Sequence, residues 1–182
     1  MSTPKHLAIA GATGAVGIEM LQCLEQRDFP IASLKLLASK RSVGKKLPFR
    51  GEEVEVEELT TDSFGGVGVA LFSAGGSISK AFAQSAVDSG ACVVDNSSAF
   101  RMDEGVPLVV PEINGDAAKE HNGIIANPNC TTIVTLMGLN PLHQAWNAQK
   151  VVASSYQAVS GSGAAGIAEL ESQVKAIANG EE

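Results

Sequence analysis

The chain has 182 residues, 45% of them hydrophobic and 18% charged, which suits one globular domain or one domain with part of a second. A net charge of −7 at pH 7 excludes nucleic acid as the main partner, because phosphate backbones need a basic field. No apolar run approaches ~18 residues, so no membrane span is expected.

HLAIAG (6–11) is a short apolar run ending in glycine and reads as a buried strand. From Ala15 to Arg27 the spacing predicts a helix whose buried stripe is Val16, Met20, Cys23 and Leu24. LKLLAS (34–39) is the next strand, and EEVEVEEL (52–59) alternates like a strand with one wet face. VGVALFSA (67–74) is a further buried strand, followed by a glycine turn and a helix through about Asp88. ACVVDN (91–96), PLVVPE (107–112) and GIIANPN (123–129) are three more short apolar strands. Thr131 to about Trp146 reads as a helix, VVASSYQAVS (151–160) as a long strand, and 164–178 as a last helix.

Strands alternating with helices predict an α/β fold, a Rossmann-like doubly wound parallel sheet covered on both faces. The strand and helix after Cys130 have little to pack against in that sheet. They are expected to open a second, α+β domain that is truncated here, giving domains of 1–129 and 130–182.

AGATGAVG places Gly11, Gly14 and Gly17 between the first strand and the first helix. Glycine there permits a tight turn and the close approach of a pyrophosphate to a helix N-terminus. The spacing is GxxGxxG rather than GxGxxG, so a plain strand–helix turn packed on glycine is the other reading. NAD-binding units place a carboxylate ~20 residues on for the ribose 2′-hydroxyl. Here the second strand ends in SKRS (39–42), whose cations and hydroxyls suit a 2′-phosphate and so favour NADP. The alternative is a solvated basic loop. Lys35, Lys40, Arg41, Lys45, Lys46 and Arg50 put six of the 13 basic residues into this region, as a local anion site would.

The three cysteines, Cys23, Cys92 and Cys130, have no paired spacing, so neither a disulfide framework nor a metal site is expected. The opening MSTPKHLAIAGATG runs straight into a strand and does not read as a signal peptide, so a reducing, cytoplasmic setting is expected. Cys23 and Cys92 fall on apolar faces and read as core thiols. Cys130 sits in turn chemistry, NPNCTT (127–132), at a helix start, and such a start favours the thiolate. A nicotinamide cofactor beside a nucleophilic cysteine implies interconversion of a thioester and an aldehyde. No histidine serves as an evident base: His6 opens a strand, His121 lies at the far end of the strand leading to Cys130, and His143 is ~20 Å along the helix. The base is either not histidine or lies in a missing part.

GATGAVG, SKRS, FSAGGSISK, DNSSAFR, VVPEIN, NPNCTT and YQAVSGSGAAGIAELESQ occur in this order, and from Lys5 to about Gln173 the chain resembles aspartate-semialdehyde dehydrogenase. The resemblance implies reduction of L-4-aspartyl phosphate by NADPH to L-aspartate 4-semialdehyde, the branch step toward lysine, methionine, threonine and isoleucine. It implies Cys130 as nucleophile and Asn96, Arg101 and Gln157 as substrate residues. For NADP it implies Gly11, Thr13, Gly14, Ala15 and Val16 at the pyrophosphate and Ser39, Arg41 and Ser42 at the ribose phosphate. Ser73 and Gly75 would lie along the cofactor, with Ser160 and Gly161 at the nicotinamide end. Structural alternatives stand beside these: an ion pair of Arg101 with Asp103 or Glu104, an interior amide at Gln157, a turn cap at Asn96, plain turn chemistry at 160–161.

Family members are roughly twice this long, with their base and a carboxylate-binding arginine further on. The isolated 182-residue chain is therefore expected to bind NADPH weakly and not to turn over. The partners implied are a small-molecule substrate and, for the full-length protein, further copies of itself as dimer or tetramer. A truncated or regulatory NADP-binding module is the alternative function.

Overall fold

A computed structural model describes residues 4–181. Met1–Thr3, which open the stretch read as running straight into a strand, and Glu182 lie outside the described residues. The chain divides into two compact units, Met1–Ala148 and Gln149–Glu182.

The first unit is built on a seven-stranded sheet in the order β3-β4-β2-β1-β5-β6-β7. Its strands are β1 (Lys5–Ala10), β2 (Ile31–Ala38), β3 (Lys46–Phe49), β4 (Glu52–Glu58), β5 (Val69–Phe72), β6 (Cys92–Asp95) and β7 (Ile124–Ala126). Every pairing is parallel except that of β3 with β4. Helices α1 (Ala15–Gln26) and α2 (Gly76–Asp88) follow β1 and β5. A central parallel strand must be apolar on both sides, and β1 shows it. Ala8 and Ala10 pack with Phe72, Ala83, Ala86 and Val93, while Ile9 packs with Leu21, Leu36 and Val56. The doubly wound sheet expected from the sequence is therefore present.

Within the α2-side cluster, Phe64 and Phe72 are fully buried and stack at 5.7 Å between ring centroids. Truncating such a ring to alanine costs about 3–5 kcal/mol. Phe64 comes from the irregular segment between β4 and β5, which Lys35 ties down by donating from Nζ to the carbonyls of Ser63 and Gly65.

Four expectations need correction. The buried face of α1 is Gly17 and Leu21, flanked by Met20 and Leu24, whereas Val16 and Cys23 are exposed. The phase is set by Gly17, the point where the helix touches the preceding turn most closely. PLVVPE forms only a single bridge, Leu108 to Ala126, because Pro111 starts the short helix α3 (Pro111–Asn114). Residues 151–158 are not a strand: all are exposed, and none lies in a β-ladder. A strand is stable only when its amides and carbonyls have a ladder partner. The basic cluster is not one site, since Lys35 is spent on carbonyls, Lys46 pairs with Glu53, and Arg50 pairs with Asp28.

Arg50 instead belongs to a tight hairpin between β3 and β4, where Arg50 and Gly51 have φ of 52° and 81°. Positive φ at both central residues suits the twist of a two-residue hairpin. Glu25 Oε1 accepts from the Arg50 amide, Phe29 O accepts from its guanidinium, and Phe49 packs beneath it at 5.2 Å. The edge strand β3 is short and contains Pro48, a common protection of exposed sheet edges.

Helix α4 (Cys130–Trp146) completes the first unit. The second unit has an irregular stretch, a short 3₁₀ turn (Val159–Ser162) and helix α5 (Gly163–Ala178). Its apolar side chains are largely in water, with Tyr156 99% exposed. Among the described residues no helix is long and apolar enough to cross a membrane.

Candidate active site

The motifs that follow β1, β2, β5, β6 and β7 hang from one edge of the sheet. Ala10, Phe72, Asp95 and Ala126 are paired in register at the carboxyl ends of β1, β5, β6 and β7. The next residue of each strand repeats one bond: Ser73 N donates to Ala10 O, Asn96 N to Phe72 O, and Asn127 N to Asp95 O. Gly11, Ser73, Asn96 and Asn127 thus form a row, one per strand, with strands about 4.8 Å apart. Gly11 N donates to Leu37 O, which brings β2 and Ser39 to the other end of the same edge. The carboxyl edge where connections leave β1 and β5 in opposite directions is the ligand position of open α/β sheets.

At β1 the glycine turn is explained by close approach. A Cβ on Gly11 (φ 91°) would lie 2.8 Å from the Ser73 carbonyl, and one on Gly17 would lie 2.8 Å from Ala12 Cα. Gly14 is different: its nearest atom would be Gly11 O at 3.4 Å, and it is the N-cap of α1 with no side-chain cap. The amides of Ala15 and Val16, in the first turn, accordingly have no partner among the described residues, which is the chemistry of an anion site. Thr13 Oγ1 reaches Ser42 Oγ at 3.4 Å, joining this turn to the end of β2. There Lys40–Ser42 form a 3₁₀ turn in which Ser42 is buried, while Ser39, Lys40 and Arg41 are exposed. Lys40 and Arg41 have no ion pair among the described residues. Gly75 (φ 92°) precedes α2, again with no side-chain cap.

At the β6–β7 end, Arg101 does not pair with Asp103 or Glu104. Its Nε donates to Asn127 O at 2.9 Å and its Nη2 to Asn96 O at 3.1 Å, leaving three of five N–H groups for another acceptor. Asn127 Nδ2 donates to Asn96 Oδ1 at 2.6 Å. Asn96, Arg101 and Asn127 therefore form one cluster, and its member Asn127 lies three residues before Cys130 in the chain. Cys130 is exposed and is the first residue of α4. Asn129 caps the helix: its Oδ1 accepts from Thr131 N at 3.0 Å and Thr132 N at 3.3 Å. Replacing Asn129 by alanine should cost about 1 kcal/mol. Urea unfolding of Asn129→Ala checks this, and an unchanged midpoint would show that the cap is dispensable.

Behind the cluster lies a group that sequence reading missed. Asp95 is fully buried at the end of β6, and Ser79 and Ser97 donate to its two oxygens, each at 2.6 Å. Asn127 was also missed. Only its partners, tens of residues away, mark it out, although its place in NPNCTT was a usable signal.

The histidines stand apart from this edge. His6 bonds Ser33 at the start of β1, and His143 is exposed on α4, about 20 Å from Cys130 along the axis. The Gly123 amide donates to His121 Nδ1, and His121 touches Cys92 at 3.8 Å, at the amino ends of β6 and β7. Burial raises the Cys92 thiol above its ordinary pKa, which keeps it protonated and unreactive. In the second unit, Ser160 and Gly161 lie in the 3₁₀ turn, and a Cβ on Gly161 would collide with the Gln157 amide. Gln157 is exposed, not an interior amide.

Residues 6–121 match the family model described as semialdehyde dehydrogenase, NAD binding domain, and residues 139–182 match its dimerisation domain. The chain belongs to the semialdehyde dehydrogenase family. Among semialdehyde dehydrogenases, it is 56% identical over 177 residues to aspartate-semialdehyde dehydrogenase of Bacillus subtilis, covering 97% of this chain and 51% of that protein. The crystal structure of aspartate semialdehyde dehydrogenase II complexed with ASA from Vibrio cholerae superposes with a TM-score of 0.92 at 46% identity, over 99% of this chain and 54% of that one. An aspartate semialdehyde dehydrogenase with NADP from Candida albicans matches at 25% identity and TM-score 0.63, over 80% of this chain and 48% of that one. The chain thus spans about half the length of the semialdehyde dehydrogenases it matches.

Proposed function

We propose that this chain supplies the cofactor domain and the nucleophile of an NADP-dependent aspartate-semialdehyde dehydrogenase. One observation carries the reading: relatives of this name are 47% to 56% identical over nearly the whole chain. The reaction is reduction of L-4-aspartyl phosphate to L-aspartate 4-semialdehyde with release of phosphate, on the route to lysine, threonine, methionine and isoleucine.

In this reading the Cys130 thiolate attacks the acyl carbon and the C–O bond to phosphate breaks, leaving a thioester on the enzyme. Arg101 and Asn96 hold the departing phosphate through the N–H groups that the carbonyl clamp leaves over. NADPH, when bound, supplies the hydride that takes the thioester to the aldehyde and frees the thiol. Gly11, Thr13, Gly14, Ala15 and Val16 receive the pyrophosphate at the uncapped start of α1, and Ser73 and Gly75 line the cofactor's path. The family resemblance assigns Gln157 to the substrate, and Ser160 and Gly161 to the nicotinamide.

The choice of NADP rests on Ser39, Arg41 and Ser42 at the end of β2, where no carboxylate stands, and on the Candida albicans relative's complex. Exchanging Arg41 for glutamate should raise the KM for NADP about tenfold or more and leave that for NAD within about threefold. Phosphate-dependent reduction of NADP and NAD by aspartate semialdehyde, in the full-length polypeptide, measures both. Equal losses would remove SKRS as the phosphate site, and no activity in the wild type would remove the reaction.

We assign 1–129 to the cofactor domain and 130–182 to the start of a catalytic and dimerisation domain, supported by matches over 6–121 and 139–182. Helix α4 nonetheless clusters with the first unit. A dimer or tetramer of the full-length protein is supported by the dimerisation match and by the exposed apolar side chains of the second unit.

A further inference from the structure

Burying a carboxylate without a cation is expensive, and strands end on apolar residues at no such cost. Asp95 is 0% exposed, and no lysine, arginine or histidine among the described residues pairs with it. Two short hydroxyl bonds hold it instead, of the length that charge-assisted O–H···O⁻ bonds adopt. Its partners lie on different pieces of the site. Ser79 is in the first turn of α2, just after Ser73 and Gly75. Ser97 is inside the loop that carries Asn96 and Arg101, and Ser97 Oγ also accepts from Ala99 N, which fixes the next bend of that loop. Arg101 closes the loop by bonding Asn96 O at its start and Asn127 O across the way.

We propose that Asp95 is a positioning residue: joined to Ser79 and Ser97, its buried carboxylate sets the loop that aims Arg101 and Asn96 at a phosphate. The proposal rests on the reading of these two residues as the phosphate site. Asp95 touches no substrate and acts only through the loop. Asparagine at 95 keeps the shape, but one oxygen becomes an N–H donor. One of the two serine hydroxyls must then turn from donor to acceptor, and both lose the charged acceptor that now holds them.

The test uses Asp95→Asn and Ser97→Ala in the full-length polypeptide, with inorganic phosphate as the probe. Calorimetric Kd and kinetic KM for phosphate should rise about tenfold, kcat should change less than about threefold, and the Kd of NADP should stay within about twofold. Amide exchange in 96–101 should accelerate in both variants. A folded variant that binds phosphate as the wild type does, or one that loses phosphate and NADP in equal measure, overturns the proposal. If Asp95→Asn fails to fold, Ser97→Ala decides. A wild type that binds phosphate but turns over no aspartate semialdehyde removes the proposed reaction and leaves the positioning role standing. A wild type that binds no phosphate overturns the positioning role itself.

Discussion

Replacing Cys130 by alanine in the full-length polypeptide should abolish phosphate-dependent reduction of NADP by aspartate semialdehyde, with a loss of kcat on the order of 10³-fold or more. The expectation follows from where the thiol sits. Cys130 is exposed, opens α4, and follows Asn127 of the Asn96–Arg101–Asn127 cluster by three residues, whereas Cys92 is half-buried and held protonated. Alanine at the first helical position keeps the Asn129 cap, whose bonds run to the amides of Thr131 and Thr132. Folding and the NADP Kd should therefore stay as they are. Because Cys23 is also exposed, alkylation alone would not identify the nucleophile, and the rate of the alanine variant is the decisive measurement. Unchanged turnover would sink the covalent route.

The second large effect is on the fold. Gly17→Ala would place a methyl group 2.8 Å from Ala12 Cα and 2.9 Å from its carbonyl carbon, with Gly11 O closer still. All of these are backbone atoms, so no side chain can swing away; α1 itself must move off the sheet. Overpacking of this kind costs about 3 kcal/mol, and the shift carries Leu21 out of its cluster with Ile9 and Leu36. Gly14→Ala is the matched control, with its nearest contact at 3.4 Å and φ of −79°, and should stay within about 1 kcal/mol. Urea midpoints of the two variants compare them directly. Equal losses would show that the loop needs three glycines for stability rather than two.

The sequence pattern revealed most of the sheet because β1, β5 and β6 are apolar on both faces and punctuated by glycine. It revealed the glycine turn for the same reason. The phase of α1 was misread because Gly17 scores as no hydrophobe, yet it marks the closest contact with the turn. β3 escaped notice since a four-residue edge strand containing Pro48 carries little pattern. Residues 151–158 include the β-branched Val151 and Val152 and the aromatic Tyr156, which favour strands, but such preference speaks of side chains while a strand also needs ladder partners. In the candidate site, Cys130, Asn96 and Arg101 stood out through their motifs. Asp95 did not: its significance lies in Ser79, 16 residues away, and in its burial, neither of which local reading supplies.

The row of loop residues along the sheet edge has an evolutionary consequence. The Ser39–Ser42 turn hangs from β2, while the Arg101 loop and Cys130 hang from β6 and β7, and each is anchored by its own hydrogen bonds. Rewriting one loop need not disturb the other. Under the function proposed above, preference for one dinucleotide over another and the handling of the phosphate can therefore drift separately, so a lineage could retune its reductant without rebuilding the chemistry.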